Sequence, residues 1–257
     1  MPKLSAFSTA EQVAVQFGTA VTSYTQHARL QRHAAHQLLA LLPEYQSLLV
    51  DLGTGPLWYK ALLQQRCRQL LALDLSWPML AQAKAQGVDA VQADASQLPF
   101  QHGSLDGLYS SLMLQWCPKP ELVLQQVAQA LKPGAVAVLS TLLQGTLAEL
   151  EHAWAGLDPY RHTNEFLPLA YFSALQPGFR DSGIELELVA ELVQLPYPDV
   201  RALARELKGL GANTVLGQKR RGLTGKGFWQ QLELQYPRQQ GLLLASYQLL
   251  YIRMRRL

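Results

Sequence analysis

Three carboxylates stand in order in the first half of the chain, each after a short apolar run. Asp51 follows Leu48 to Val50, Asp74 follows Leu70 to Leu73, and Asp94 follows Val91 to Ala93. Such runs read as buried parallel strands. Two glycines, Gly53 and Gly55, come directly after the first acid. An acid about 20 residues beyond a glycine-containing strand-to-helix turn is placed to hold the two ribose hydroxyls of a nucleoside. Asp74 occupies that position, and Asp94, one strand later, can reach an adenine edge. The layout points to an adenosine-containing cofactor. Any one of these acids alone reads more readily as a cap or a solvated loop carboxylate. Three on successive strand ends reverse that reading.

The glycine spacing narrows the ligand. A dinucleotide loop has Gly-x-Gly-x-x-Gly, which seats a pyrophosphate on a helix N-terminus. Here the last position of that pattern is Trp58, which argues against a dinucleotide and so against a dehydrogenase.

The elements that must position these residues follow from periodicity. Residues 29–42 carry Leu30, Ala34, Leu38 and Leu41 on one helical face. Strands are expected at 48–52, 70–74, 88–93, 107–111 and 135–141. Helices are expected at 57–66, after Ser76 as N-cap with Pro78 in the first turn, and at 120–131. Lys132-Pro133-Gly134 is expected to separate that last helix from the fifth strand. Strand and helix alternate throughout, which predicts a doubly wound α/β sheet. Residues 143–183 then read as helical and irregular, a helical insertion. Ile184, Leu186 and Leu188 alternate with glutamates and predict a strand exposed on one face. Helical segments near 198–208 and 225–236 and a strand at about 244–253 complete the chain, with an antiparallel edge on the otherwise parallel sheet. The expected organisation is an N-terminal helical cap over 1–45, a cofactor-binding core over 46–142, the insertion as a substrate lid over 143–183, and C-terminal elements over 184–257 that complete sheet and pocket.

Bulk properties exclude several classes. The 257 residues are 49% apolar, and the formal net charge is +3, too small to imply nucleic acid. No apolar run is long enough to span a membrane, and the first residues lack a signal-peptide core. Cys67 and Cys117, the two cysteines, have no metal-like spacing and suggest reduced thiols in the cytoplasm. Lys219, Arg220, Arg221 and Lys226 cluster, as do Arg253, Arg255 and Arg256. The first cluster is either a solvated surface or a docking face for an acidic partner.

The strings around these acids resemble S-adenosylmethionine-dependent methyltransferases with a Rossmann-like sheet. They comprise Asp51 with Gly53 and Gly55, Asp74-Leu75 with Met79, Asp94-Ala95, and Gln115-Trp116-Cys117. Later stretches are more specific. Tyr24, His27, Gln31 and Arg32 form one, Gly145 and Glu149 a second, and His162, Asn164, Phe166 and Pro168 a third. Lys208, Gly211 and Asn213, then Tyr236 and Gly241, complete the set. Together they resemble the malonyl-acyl-carrier-protein O-methyltransferases of biotin synthesis. The resemblance implies S-adenosylmethionine as cofactor, held by Asp51, Gly53, Gly55, Asp74, Leu75, Met79, Asp94, Ala95 and Gln115. It implies an acidic acyl carrier protein bearing a malonyl thioester as partner. Tyr24, Trp116, His162, Asn164 and Lys208 are the candidates to orient the malonyl carboxylate. No metal, nucleic acid or membrane is implied.

One position departs from the family. The superfamily loop has a third glycine where this chain has Leu57. If that residue must take a positive φ, leucine there is costly. Two other readings stay open: methyl transfer to a different small acceptor, and binding of the cofactor without catalysis.

Overall fold

The structure is a computed structural model and describes residues 28–157, 159, 162–210 and 225–257. One sheet organises them. In chain order the strands are β1 (Gln46–Leu52), β2 (Cys67–Asp74), β3 (Asp89–Gln92), β4 (Leu105–Ser110), β5 (Leu131–Leu142), β6 (Ile184–Tyr197), β7 (Arg238–Gln239) and β8 (Leu242–Arg256). In space the order is β3-β2-β1-β4-β5-β8-β6, with β7 paired to β8. The first five strands are mutually parallel. β8 runs antiparallel to both β5 and β6. The expected doubly wound sheet with an antiparallel extension is therefore present, and the antiparallel strand lies one place in from the edge.

The helices are α1 (Arg29–Leu41), α2 (Lys60–Gln64), α3 (Trp77–Ala85), α4 (Pro120–Ala130), α5 (Ala148–Ala155), α6 (Leu169–Ser173), α7 (Gln176–Asp181), α8 (Val200–Gly209) and α9 (Lys226–Gln235). Two apolar layers sandwich the sheet. Leu38 of α1, Leu80 of α3, Leu150 of α5, Leu203 of α8 and Leu232 of α9 share one buried cluster. Val123 and Val127 of α4, Phe172 of α6 and Phe179 of α7 share the other. No helix among the described residues is long and apolar enough to cross a membrane.

Three local expectations are corrected. The first crossover helix is confined to α2, because Leu57 has φ 53°, a conformation no right-handed helix contains. β5 begins at Leu131, directly after α4, and runs through Pro133 and Gly134. It does so with an irregular register between Leu105 and Gly107 of β4 and with φ 81° at Gly134. Proline and a left-handed glycine are thus absorbed as a strand irregularity rather than a break. Ser76 stands at the N-cap position of α3, but its side chain makes no cap bond. Its hydroxyl is buried with no partner among the described residues, and its backbone N–H donates to Asp74 Oδ1 at 2.8 Å.

The C-terminal elements hold α1 against the sheet. Arg29 bonds Glu206 of α8 at 2.9 Å, and His33 bonds Glu191 of β6 at 2.9 Å. Tyr251 of β8 also donates to Glu191, at 2.7 Å. Gln31, between these two anchors in sequence, is fixed over the carboxyl ends of β1 and β4.

Candidate functional site

In an open parallel sheet a ligand binds outside the carboxyl ends of the strands, where the strand order reverses. Here the order reverses at β1 and β4. The chain leaves β1 through a turn in which Gly53, Gly55 and Leu57 all have positive φ, at 71°, 54° and 53°. The two glycines are needed for different reasons. A Cβ on Gly53 would lie 2.3 Å from Cγ of Met113, whereas a Cβ on Gly55 would meet nothing within 4 Å. Gly53 therefore allows close packing, and Gly55 allows the backbone conformation while its surroundings stay open.

Asp74 secures this turn. Its Oδ2 accepts from the Gly55 N–H at 3.0 Å, and its Oδ1 accepts from the Ser76 N–H. The N–H groups of Gly53 and Thr54 both donate to the Leu73 carbonyl, at 2.7 and 3.2 Å. These backbone donors do not fill the roughly four acceptor sites of the Asp74 carboxylate. Burial raises the Asp74 pKa, while the backbone donors of Ser76, Gly55 and Leu75 pull it down. Asp51, at the end of β1, is more strongly affected. Burial pushes its carboxyl up to about 7, the Thr54 hydroxyl counters this, and the nearby Asp74 charge adds to it. Thr54 Oγ1 donates to Asp51 Oδ2 at 2.6 Å.

Leu57 does by packing what a glycine does by freedom. A leucine in the left-handed region costs about 1–2 kcal/mol. Its side chain is only 1% exposed, inside the layer formed with α1. Burying a leucine contributes about 1.5–3 kcal/mol, which offsets the strain. The left-handed conformation is thus held at this position without a glycine.

Two cavities adjoin at Gln31, the smaller of them against this turn. The smaller, about 40 Å³, is lined by Gln31, Asp51, Gly53, Gly55, Tyr109 and Ser111 among others. The larger, about 200 Å³, is lined in part by Gln31, Gln115, Trp116, His162, Asn164 and Phe166. Gln31 lines both. Gln31 Oε1 and Ser111 Oγ are buried with no hydrogen-bond partner among the described residues. Buried polar atoms of this kind call for a ligand. These orphaned atoms, the open space at Gly55 and the acceptors on Asp74 suit a nucleoside with a polar amino-acid tail.

The expected residues separate into groups. Asp51, Gly53, Gly55 and Asp74 lie together in the turn, with Leu75 continuing from Asp74. Met79 is 1% exposed on α3. Asp94 is exposed after β3 and accepts from the N–H and hydroxyl of Ser96, both at 2.8 Å. Ala95 packs against the layer that includes Met113 and Cys117. Gln115 lies with the larger cavity instead of with the turn, donating to the Leu112 carbonyl at 2.7 Å and accepting from Thr141 at 3.3 Å. Trp116, His162 and Asn164 line that same cavity, His162 stacked on Trp154 with ring centroids 3.6 Å apart. Cys117 packs on Met113, its sulfur 3.3 Å from the thioether, and burial pushes its thiol up to about 12. It is therefore a protonated packing residue. Lys208 does not line the cavity. It is exposed on the outer side of α8. Tyr24, Lys219, Arg220 and Arg221 lie outside the described residues, as does the side chain of Lys226. Gln31, Thr54 and Ser111 are additions the acid and glycine spacing could not supply. Gln31 did fall in a family-like string, the only available signal.

A methyltransferase domain model matches residues 50–139, which span β1 to most of β5. The malonyl-[acyl-carrier protein] O-methyltransferase of Serratia marcescens is 35% identical over 244 residues, 94% of each chain. The biotin biosynthesis bifunctional protein of Cellvibrio japonicus is 38% identical over 251 residues. That match covers 94% of this chain but 49% of the bifunctional protein, so the chain spans about half of it. Among solved structures, a putative methyltransferase of Bacillus halodurans superposes with a TM-score of 0.57. The match covers 90% of this chain and 98% of that one, at 17% identity, and bears on the fold alone.

Two outcomes follow from the turn. Leu57→Gly relieves about 1–2 kcal/mol of strain but loses a buried side chain worth about 2–5 kcal/mol. Urea denaturation should show a net destabilisation of about 1–3 kcal/mol, with calorimetric affinity for S-adenosylmethionine changed less than about threefold. A more stable or much tighter-binding variant would show that the leucine is a defect.

The second outcome concerns Asp51. A carboxyl raised to about 7 in the folded state favours folding below its unfolded pKa near 4, and this contribution is lost as pH rises toward 7. A cationic ligand in the adjoining cavity favours the ionised form. Binding of S-adenosylmethionine at pH 6.5 should therefore release protons, seen as a buffer-dependent calorimetric heat, and the release should shrink in Asp51→Asn. Equal release in both proteins would remove Asp51 from the linkage.

Proposed function

The chain belongs to the malonyl-[acyl-carrier protein] O-methyltransferase family, and from that membership we infer that it methylates the free carboxylate of a malonyl thioester on an acyl carrier protein. The observation that carries this is the match to such an enzyme along 94% of both chains. S-adenosylmethionine supplies an electrophilic methyl group on a sulfonium sulfur. The product is a malonyl thioester methyl ester, an early intermediate toward the pimeloyl part of biotin. Esterification removes the terminal charge, so chain-elongating enzymes can treat that end as apolar.

The residues suit this division of labour. Asp74 holds the ribose hydroxyls, and Gly53 and Gly55 let the backbone lie against the cofactor. Asp51, Gln31 and Ser111 face its polar tail. The malonyl end occupies the larger cavity, where Trp116, His162 and Asn164 line the wall and are the candidates to orient a carboxylate oxygen. A carboxylate is already ionised at neutral pH, so the chain needs no general base. Alignment is the main task.

The lining of that cavity includes no lysine or arginine among the described residues. This helps the reaction. A cation 4 Å from the nucleophile would stabilise it by about 4 kcal/mol at an effective dielectric near 20. Much of that stabilisation would be lost as the oxygen gives up charge to the methyl group, which raises the barrier. An uncharged donor such as an indole or amide N–H orients the nucleophile without that penalty. The buried Glu206 on the same wall has its charge balanced by Arg29.

The partner is read as an acidic carrier protein, in keeping with a net charge of +3. Free Cys67 and Cys117 suit a cytoplasmic setting.

The test supplies labelled S-adenosylmethionine and malonyl-carrier protein and follows label into a base-labile ester. One methyl group per malonyl group is the expected stoichiometry, with acetyl-carrier protein inert. Cofactor binding with no transfer to the malonyl substrate would exclude this function.

A further inference from the structure

The cavity that receives the acyl group is walled in part by α8, whose two faces differ in chemistry. Val200, Ala204, Leu207 and Leu210 face the cavity. Arg201, Arg205 and Lys208 are all exposed. The spacing of these cations at i, i+4 and i+7 puts them in one stripe on the helix surface. The stripe borders the cavity directly. Ala204 lies on the cavity wall, and its neighbours three residues before and four after are Arg201 and Lys208.

None of the three cations is in an ion pair among the described residues. By contrast, the carboxylates around this helix are committed. Glu206 bonds Arg29, Asp199 caps α8 by accepting from the Ala202 N–H at 2.6 Å, and Glu233 accepts from the Val200 N–H at 2.8 Å. Arg201 has its guanidinium 5.9 Å from the ring centroid of Trp229, itself a cavity residue. Three cations with no ion-pair partner among the described residues, on the outer side of a wall whose inner side is apolar, form a surface complementary to an acidic macromolecule.

The geometry points to this outward face of α8 as the docking surface for the acidic acyl carrier protein, an inference that rests on the carrier-dependent function above. A carrier must present its acyl group within reach of the cavity, and α8 offers charge on one side and cavity wall on the other. The notion of a basic docking face is thereby assigned to a described element. Charge pairing of this kind acts chiefly on encounter rate and is screened by salt.

The experiment compares malonyl-carrier protein with malonyl-N-acetylcysteamine, a minimal thioester without protein or phosphate, over a range of salt concentrations. Arg205→Glu, and then Arg201→Glu with Arg205→Glu, should raise KM for the carrier substrate roughly tenfold or more at low salt. The difference should fade at high salt, with kcat/KM on the minimal thioester unchanged. Should the double reversal fold poorly, Arg201→Gln with Arg205→Gln should give a smaller shift in the same direction. Equal losses on both substrates would show that α8 serves only the cavity. An unchanged KM for the carrier would place docking elsewhere. Direct binding of the carrier protein, titrated in the same salt series, reads this surface even if no methyl is transferred. Failure of the wild-type protein to methylate either thioester would instead count against the catalytic function.

Discussion

The structure depends on one backbone constraint: the chain must turn sharply out of β1 without losing the hydrogen bonds of the turn. Gly53, Gly55 and Leu57 supply the left-handed residues. The carboxylate of Asp74, from the neighbouring strand, accepts the Gly55 N–H. The same carboxylate that shapes the turn is the one proposed above to hold the ribose. Losing it would free the Gly55 N–H and, in the proposed function, remove a ligand contact as well. Shaping the turn before the ligand arrives lowers the ordering cost of binding.

The acceptor side is built from the second half of the chain. β8 inserts antiparallel between β5 and β6, and β6 carries the glutamate that anchors α1 through His33. Arg29 makes the second anchor, to α8. These two contacts fix the helix that bears Gln31, and Gln31 lines both cavities. In the proposed function, methyl donor and acceptor meet at a helix that precedes the sheet and is held by elements that follow it. The order of elements in the chain hides this arrangement.

The places of Asp51 and Asp74 at the carboxyl ends of β1 and β2 were legible because a buried parallel strand announces itself as an apolar run. The paired glycines were legible for a similar reason. The fate of Leu57 was not. Its strain is offset by packing against side chains distant in sequence, so no local rule could assign it. Pro133 and Gly134 read as a break, yet neighbouring β4 absorbs them through an irregular register. Lys208 was a candidate to orient the malonyl carboxylate, and only the orientation of α8 shows it facing outward. Gln115 follows the fourth strand as expected, but the turn of the short 3-10 helix Leu114–Trp116 directs it to the acceptor side. In each case tertiary packing outweighed the local signal.

The most direct measurement is a crystal structure with S-adenosylhomocysteine and a malonyl thioester bound together. The account predicts Leu57 still in the left-handed region, the ribose hydroxyls on Asp74, and the malonyl carboxylate in the cavity bounded by Trp116, His162 and Asn164. It also predicts Gln31 at the junction between the two ligands. A ribose held away from Asp74, or a malonyl group bound outside that cavity, would contradict it.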